Sequence, residues 1–500
     1  MKRLKPNLAA ASLMLGLFTA TAPALELPNI FSEHMVLQRE IKVPVWGTAA
    51  PSATVTVEFA GQKKTTTADA SGKWMVRLDS MKANAKPQKM TVSEGANTVA
   101  YDDVLIGDNW LCSGQSNMEW DMNGTSNSQA ELADVVNYPT IRFFRVADHI
   151  SKDTPQANAP GKWAALTPDS ARSLTAVGYF FGRRINKEVK IPVGIIQSAW
   201  GGSPIEPWTT YTGWEKGYLE AMEKWLPEAR AALKAGRALP TAPPAPNAQA
   251  NGGMFNGMIA PLAPYAIKGA LWYQGESNGG EGVSYFHKME SLINGWRAVF
   301  QSGEFPFYYV QLANFQNPNP NAEGGDGWAK VREAQRKALE IPNTGMAVAI
   351  DLADIGNPGD IHPKNKQDVG SRLAQWALVQ TYGRKDLVPS GPLFKSAASK
   401  GGKLHVSFEH TGKGLIVGEK RGLDPVKEVT DGKLKGFAIA GADKKWAWAD
   451  AVIDGKTVVL SSSDVPEPVA VRYGFSMNPD AANLYNKEGL PASPFRSDDW

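Results

Sequence analysis

The sequence predicts an α/β protein in which a parallel sheet forms the centre and β-rich segments flank it on both sides. Between about residues 105 and 389, short apolar runs alternate with helical stretches, which is typical of buried parallel strands joined by helices. The segment before this part alternates apolar and polar residues with period two, as over residues 53–59. The same alternation returns after residue 390, as over residues 403–408.

The N-terminal residues have the pattern of a secretory signal peptide. Met1-Lys-Arg-Leu-Lys5 is basic, residues 8–20 are apolar, and Ala22-Pro23-Ala24 offers small side chains for cleavage. The apolar stretch is shorter than the ~20 residues that a membrane-spanning helix needs, and no later segment is long and apolar enough. We therefore expect an exported protein, periplasmic or secreted, with no membrane span once residues 1–24 are removed.

The remaining chain is predicted to form four units. These are a small accessory β-sandwich over residues 25–104, an α/β catalytic domain over 105–389, a small β-domain over 390–475, and a C-terminal tail over 476–500 that packs on the catalytic domain. Within the α/β unit, buried strands are predicted at residues 104–106, 192–196, 267–272, 307–311 and 346–350. Helices are predicted over residues 172–187, 283–300 and 330–339, and the Pro- and Ala-rich residues 235–250 predict a long surface loop.

The composition narrows the functional classes. The 500-residue chain has a formal net charge of only +3, and no basic stripe is interleaved with aromatic residues, so nucleic-acid binding is not predicted. Cys112 is the only cysteine, so no intramolecular disulfide forms. The 16 tryptophans fit core packing and a carbohydrate-binding cleft equally well.

Gly114-Gln-Ser-Asn117 is the first polar cluster at a predicted strand end. A glycine close to a serine at such a point allows a tight turn that exposes the hydroxyl, as in the nucleophile elbow of α/β-hydrolases. The second glycine of that elbow is missing here, which disfavours the α/β-hydrolase family. Ser116 is therefore a candidate nucleophile that needs a base.

His362 is the best candidate base among the six histidines. It lies in Asp360-Ile-His-Pro363, just beyond the last predicted strand, and it has a carboxylate two residues away. A histidine oriented by a carboxylate is the arrangement that activates a serine. The other five lie in the β-rich flanks, in a loop or in a helical stretch; they are His34, His149, His287, His405 and His410.

Two further strand ends combine glycines with polar groups. They are Ser198-Ala-Trp-Gly-Gly-Ser-Pro204 and Gln274-Gly-Glu-Ser-Asn278. Backbone N–H groups of the glycines and the side-chain amide of Gln274 are candidates for an oxyanion hole. Glu276 is a second candidate carboxylate for His362.

In this order, the four clusters resemble the motifs of the SGNH-hydrolase superfamily, and more closely the sialate O-acetylesterase family and related bacterial carbohydrate acetylesterases. The resemblance covers essentially the whole mature chain. It implies a flavodoxin-like three-layer α/β fold with a parallel sheet and the activity of a carbohydrate O-acetylesterase. The matching segments are Gly114-Gln-Ser-Asn-Met118, Trp200-Gly-Gly-Ser-Pro-Ile-Glu206, Trp272-Tyr-Gln-Gly-Glu-Ser-Asn278, Asp360-Ile-His-Pro-Lys-Asn-Lys366, Gln335 and residues 483–495.

The resemblance also implies roles for individual residues. Ser116 would be the nucleophile, His362 the base and Asp360 the acid that orients it, with no metal or organic cofactor. The superfamily usually has Asp-x-x-His and an asparagine in its third motif, whereas this chain has Asp-x-His and Gln274. Glu276 is therefore a rival for the acid. The oxyanion would be held by the N–H of Ser116, by one of Gly201 and Gly202, and by Gln274, while Asn117, Trp200 and Asn278 would contact the substrate.

An acetylated saccharide is the expected partner of such an enzyme. The family name suggests O-acetylated sialic acid, whereas related enzymes deacetylate plant polysaccharides such as xylan or xyloglucan. A non-catalytic exported carbohydrate-binding protein is the alternative from another class, because it accounts for the export signal and the tryptophans. A peptidase is a weaker alternative, since the same triad cleaves amides.

Overall fold

The computed structural model describes residues 25–243, 252–354 and 356–500. The predicted signal peptide and part of the predicted loop at residues 235–250 lie outside these ranges. The strands, in chain order, are β1 Val36–Gln38, β2 Val43–Thr48, β3 Thr54–Phe59, β4 Gln62–Thr67, β5 Lys73–Leu78, β6 Asn84–Glu94, β7 Asn97–Gly114, β8 Ile141–Arg145, β9 Trp163–Ala165, β10 Val193–Ala199, β11 Gly269–Tyr273, β12 Phe307–Val310, β13 Thr344–Ala347, β14 Leu393–Lys400, β15 Lys403–Glu409, β16 Leu415–Glu419, β17 Lys427–Glu428, β18 Phe437–Ala440, β19 Trp446–Trp448, β20 Asp450–Asp454, β21 Thr457–Ser461, β22 Ala470–Tyr473, β23 Leu484–Asn486 and β24 Phe495–Arg496. The α-helices are α1 Ser116–Glu119, α2 Ser128–Asp134, α3 Ala176–Val189, α4 Tyr211–Lys234, α5 Tyr285–Phe300, α6 Gly327–Lys337 and α7 Lys366–Trp376.

The central sheet has the strand order β13-β12-β11-β7-β10-β8-β9. The six strands from β13 to β8 run parallel, and β9 pairs antiparallel at the edge. Every residue of β10 and β11 is buried, which explains the continuous apolar runs at residues 193–196 in β10 and 269–273 in β11. Because the strands are parallel, their carboxyl ends meet at one edge of the sheet, where a ligand is normally bound.

Helices pack on both faces of this sheet. The neighbouring residues Tyr308 and Tyr309 in β12 point to opposite faces, as successive strand residues do. The Tyr308 hydroxyl lies 2.8 Å from the Thr381 hydroxyl, just after α7, whereas the Tyr309 hydroxyl donates to the Gln335 carbonyl of α6 at 2.7 Å. The molecule is therefore a mixed α/β structure with a sheet between helices.

The flanking segments differ in how they join this centre. β7 crosses the predicted boundary at residue 104: its first part pairs with β6, and its last part pairs with β10 and β11. The side chains of the N-terminal strands accordingly share one hydrophobic core with the central sheet. The C-terminal strands form three smaller sheets, β14-β15-β21-β20, β17-β16-β23 and β19-β18-β22-β24, around a separate core. The domain boundaries stay predictions.

The predicted strands and helices of the α/β unit are present with shifted ends. The predicted strand at residues 346–350 is β13, Thr344–Ala347, and the predicted helix at 330–339 is α6, Gly327–Lys337. Helices α4 and α7 and the strands β8 and β9 were not predicted from the sequence. Within the described residues, no helix combines the length and apolar character required to cross a bilayer.

A buried ion pair fixes the segment that leads to the fourth motif. The Arg372 guanidinium in α7 donates to both carboxylate oxygens of Asp351, at 2.6 and 2.7 Å, and to the Val348 carbonyl at 2.7 Å. The two side chains are only 8% and 4% exposed. Because Asp351 lies before the fourth motif and Arg372 lies after it, the pair joins the chain on the two sides of that motif.

We expect Arg372→Ala to destabilise the fold by about 3–5 kcal/mol, because Asp351 would be left buried and unpaired. Urea unfolding followed by tryptophan fluorescence measures the change. Arg384→Ala is the matched control, since Arg384 pairs with the exposed Asp386, and we expect a much smaller loss there. Equal losses in the two variants would contradict the structural role of the Arg372–Asp351 pair.

Candidate active site

The turn that presents Ser116 begins where β7 meets β11. Gly114, the last residue of β7, has φ +134°, and a Cβ on it would lie 2.1 Å from the Tyr273 carbonyl oxygen. No larger residue fits this position. The Gln115 N–H donates to the same carbonyl at 2.9 Å, and α1 then begins at Ser116. The local fold therefore turns the chain directly at the strand end and places Ser116 at the sheet's carboxyl edge.

Ser116, His362 and Asp360 form an unbroken line of polar contacts. The Ser116 hydroxyl oxygen lies 2.9 Å from His362 Nε2, and His362 Nδ1 lies 3.0 Å from Asp360 Oδ1. The same Asp360 oxygen accepts the His362 backbone N–H at 2.9 Å. The short Asp-x-His spacing thus allows one carboxylate oxygen to bind both the ring and the backbone of the histidine. This geometry lets the histidine accept a proton from the serine while the carboxylate holds the ring.

Trp120 supports the His362 ring from one side. The two rings stack with their centroids 5.0 Å apart and an angle of 24° between their planes. The Lys366 ammonium lies over the Trp120 indole, 5.3 Å from the ring centroid, which is within the range of a cation–π contact. The orientation of His362 is therefore set by an aromatic stack as well as by Asp360.

Glu276, the rival acid, binds a different residue. Its Oε1 accepts from the Asn117 side-chain amide at 2.6 Å, and among the described residues its buried Oε2 has no partner. Burial raises the pKa of Glu276, and the hydrogen bond from Asn117 opposes that rise. The structure brings Asp360, and not Glu276, to His362.

Asn117 joins three motifs beneath the serine. Its amide nitrogen donates to Glu276 and, at 2.9 Å, to the Ile361 carbonyl, while its amide oxygen accepts from the Lys366 ammonium. Both Asn117 and Lys366 have no exposed surface. Burial lowers the pKa of Lys366 to about 7, although the carboxylates of Glu276 and Asp360 favour its charged form. Asn117 was predicted to contact the substrate. The structure instead places it behind Ser116, where it links the serine turn to Ile361, the residue before His362.

The structure does not bring Gln274 or Asn278 to Ser116. The buried Gln274 amide donates to Asn278 at 2.7 Å and to the Ser203 carbonyl at 3.3 Å, and its oxygen accepts from the Tyr285 hydroxyl at 2.6 Å. Asn278, also buried, accepts the Ile205 N–H at 3.0 Å. The side chains of Gln274 and Asn278 therefore hold the turn that follows β10 in place.

The two glycines after Trp200 differ in their contacts. The Gly201 N–H donates to Glu119 at 2.7 Å. Gly202 is exposed, has φ +73°, and its N–H finds no hydrogen-bond acceptor among the residues that the structure covers. Trp200 is half-buried beside them, and its backbone N–H donates to the Gly114 carbonyl at 3.0 Å. The glycine turn therefore lies against the serine turn, with Trp200 at its border.

Comparison with known proteins identifies the family. The model of the family described as carbohydrate esterase, sialic acid-specific acetylesterase, matches residues 107–239 and 247–379, more than half of the chain. The chain belongs to this family. Its members hydrolyse ester bonds, and the matched residues contain all four motifs of this carbohydrate esterase.

Relatives match far beyond the α/β unit. The sialate O-acetylesterase of Mus musculus is 30% identical over 93% of each chain, and that of Rattus norvegicus is 33% identical over 93% of each. The crystal structure of a carbohydrate acetylesterase from Xanthomonas citri superposes with a TM-score of 0.81 at 39% identity, covering 95% of this esterase and 100% of that chain. The β-rich segments on both sides of the α/β unit are thus part of what this chain shares with these relatives.

Several residues at the site of this esterase were missed by the sequence analysis. Trp120 and Glu119 directly follow the Gly114-Gln-Ser-Asn-Met118 motif, and Lys366 closes the Asp360 motif. Their position within or beside the motifs was the available signal. A lysine is normally exposed, so the burial of Lys366 under the serine could not be expected from the residue type or its position.

We expect Asn117→Ala to lower kcat for a chromogenic acetate ester by about 10- to 100-fold, because it releases the backbone next to His362 and misplaces the base. KM should change by less than about 3-fold, since Asn117 has no exposed surface. Steady-state kinetics separates the two effects, with the exposed Asn137→Ala as control. A raised KM with unchanged kcat would instead mean that Asn117 contacts the substrate.

Proposed function

We propose that the chain is an exported carbohydrate O-acetylesterase in which Ser116 attacks the acetyl ester, His362 is the base and Asp360 orients His362. The observation that carries this proposal is the line of contacts from Ser116 Oγ to His362 Nε2 and from His362 Nδ1 to Asp360 Oδ1. Membership of a carbohydrate esterase family supports the reaction class. A serine hydroxyl is a weak nucleophile, and a histidine within hydrogen-bond distance is what activates it.

The first half of the reaction forms an acetyl-enzyme. Ser116 Oγ bonds to the carbonyl carbon of the acetyl group while its proton passes to His362 Nε2. The backbone N–H of Ser116 and one backbone N–H of the turn at Gly201 and Gly202 stabilise the negative charge on the carbonyl oxygen. The bond between the carbonyl carbon and the sugar oxygen then breaks, and that oxygen takes the proton from His362.

The second half regenerates the serine. Water attacks the acetyl carbonyl carbon and gives a proton to His362, and the bond to Ser116 Oγ then breaks as the proton returns to it. Acetate leaves. Asp360 stays ionised throughout and stabilises the protonated imidazole. Every step uses the residues of this chain, the substrate and water.

An acetylated saccharide is the proposed substrate class. The relatives are named for sialate O-acetyl esters and carbohydrate acetyl esters, and the half-buried Trp200 beside the serine supplies an apolar surface of the kind that packs on sugar rings. The parallel sheet with Ser116 after its middle strand supports the SGNH type of the fold. The basic and apolar character of residues 1–24 supports export to the periplasm or the medium.

Replacing the proposed nucleophile gives the most direct test. We expect Ser116→Ala to lower turnover of a chromogenic acetate ester by about 10³-fold or more, because no covalent intermediate can form. A serine-directed fluorophosphonate should label the wild-type protein but not this variant, and Ser302→Ala, far from the site, serves as the matched control. Undiminished hydrolysis by Ser116→Ala would refute Ser116 as the nucleophile. A wild-type protein without esterase activity and without labelling would instead leave a carbohydrate-binding protein as the better explanation.

The two carboxylates are separated by a second pair of variants. We expect Asp360→Asn to reduce kcat nearly as much as His362→Ala, by about 10³- to 10⁴-fold, since it favours the wrong imidazole tautomer. Glu276→Gln should stay within about 10-fold of the wild type, because Gln keeps an oxygen for the Asn117 amide. The opposite ranking of the two carboxylate variants would assign the acid to Glu276.

A further inference from the structure

Glu119 makes a contact at the centre of the site that the proposed reaction does not use. It is the last residue of α1, the short helix that begins at Ser116. One of its carboxylate oxygens, Oε2, accepts the Gly201 N–H at 2.7 Å, and the other, Oε1, lies 2.6 Å from His149 Nε2. The serine helix and the glycine turn are thus joined through a single side chain.

His149 continues this connection to the residue before Gly201. Its ring stacks on the Trp200 ring with centroids 4.8 Å apart and an angle of 8° between the planes. Trp200 in turn donates its backbone N–H to the Gly114 carbonyl at the end of β7. Glu119, His149, Trp200 and Gly201 therefore form a closed cluster, which we call the Glu119 cluster, around one side of Ser116.

The backbone of Gly201 packs directly against the serine. A Cβ on Gly201 would lie 3.4 Å from Ser116 Cβ and 3.2 Å from the Glu119 carboxylate. Any movement of this turn therefore changes the distance between Ser116 and the backbone N–H groups of the turn. A charged hydrogen-bond acceptor is a strong way to hold such a backbone N–H in place.

We propose that Glu119 is a positioning residue of the esterase: its carboxylate, held by His149, fixes the Gly201 turn at the distance from Ser116 that the oxyanion requires. The inference rests on the proposed function. It also assigns the donors, because the Gly201 N–H is engaged by Glu119. The N–H groups of Ser116 and Gly202, for which the described residues provide no acceptor, are left for the carbonyl oxygen.

The contacts favour a fixed support over a carboxylate that blocks the site and leaves on substrate binding. Glu119 is 23% exposed, and both of its oxygens have partners. Its departure would break two charge-assisted contacts and leave His149 without a carboxylate. The two roles predict opposite effects of removing the side chain, so they are separable by kinetics.

The test compares Glu119→Ala, Glu119→Gln and His149→Ala in the full chain with a chromogenic acetate ester. We expect Glu119→Ala to lower kcat at least 10-fold with KM changed less than about 3-fold, because the turn is misplaced but the substrate surface is kept. Glu119→Gln, which keeps an acceptor for the Gly201 N–H, should recover most of the loss. His149→Ala should fall between Glu119→Ala and the wild type. Glu188→Ala, whose carboxylate pairs with Arg184 and Arg384, is the matched control.

Three outcomes would overturn the inference. They are an unchanged kcat in Glu119→Ala, a higher kcat in Glu119→Ala, which would show a blocking carboxylate, and equal losses in the Gln and Ala variants. If Glu119→Ala fails to fold, Glu119→Gln and His149→Ala still decide the matter: near wild-type kcat in the first with a clear loss in the second supports the role, and any other pattern refutes it. Ser116→Ala in parallel separates the two proposals, because its full activity refutes the proposed function, whereas its inactivity beside a fully active Glu119→Ala refutes only this inference.

Discussion

The close approach of β7 and β11 at Gly114 is the constraint on which the site depends. A Cβ at this residue would lie 2.1 Å from the Tyr273 carbonyl oxygen, and the Gln115 N–H donates to that same carbonyl. On the other side, the Gly114 carbonyl accepts the Trp200 N–H that follows β10. One residue therefore fixes the ends of three neighbouring strands relative to each other. The position of Ser116, two residues later, follows from that arrangement.

The buried polar residues below Ser116 extend this constraint to the fourth motif. His362 lies in a loop rather than in a strand or helix, so pairing within the sheet does not determine its position. Asn117 performs this task by binding the Ile361 carbonyl, and Lys366 and Glu276 hold the two ends of the Asn117 amide. Burying a charged group is costly unless it is paired and hydrogen-bonded. The Lys366 ammonium and the Glu276 carboxylate bind the same amide, so their opposite charges offset each other. Either charge alone would destabilise the buried cluster.

The central strands and the cluster of Ser116, His362 and Asp360 could be predicted from the sequence, and the reason is physical. Fully buried parallel strands need continuous apolar runs, and β10 and β11 have them. Helix α4 escaped prediction because Pro227 lies in its interior, where a proline normally interrupts the hydrogen bonds of a helix. β7 extends from the N-terminal strands into the central sheet, with Asp103 at φ +52° just before residue 104, so the predicted boundary lies within a strand. Long-range contacts, such as that of Glu119 with Gly201, have no signature in local spacing.

The polar motif residues illustrate why position along the chain does not determine a role. Backbone N–H groups in buried turns need acceptors, and several motif side chains supply them. Gln115 accepts the Ser277 N–H at 3.2 Å, Asn278 accepts the Ile205 N–H at 3.0 Å, and Gln335 accepts the Leu312 N–H at 3.0 Å. A polar cluster at a strand end therefore reflects two requirements. The first is the chemistry of the exposed residues, and the second is the supply of hydrogen-bond partners to the backbone of the turn that carries them. In the Gln274–Asn278 motif the second requirement accounts for Gln274 and Asn278. The two side chains within hydrogen-bond distance of the His362 ring, Ser116 and Asp360, come from the first and fourth motifs.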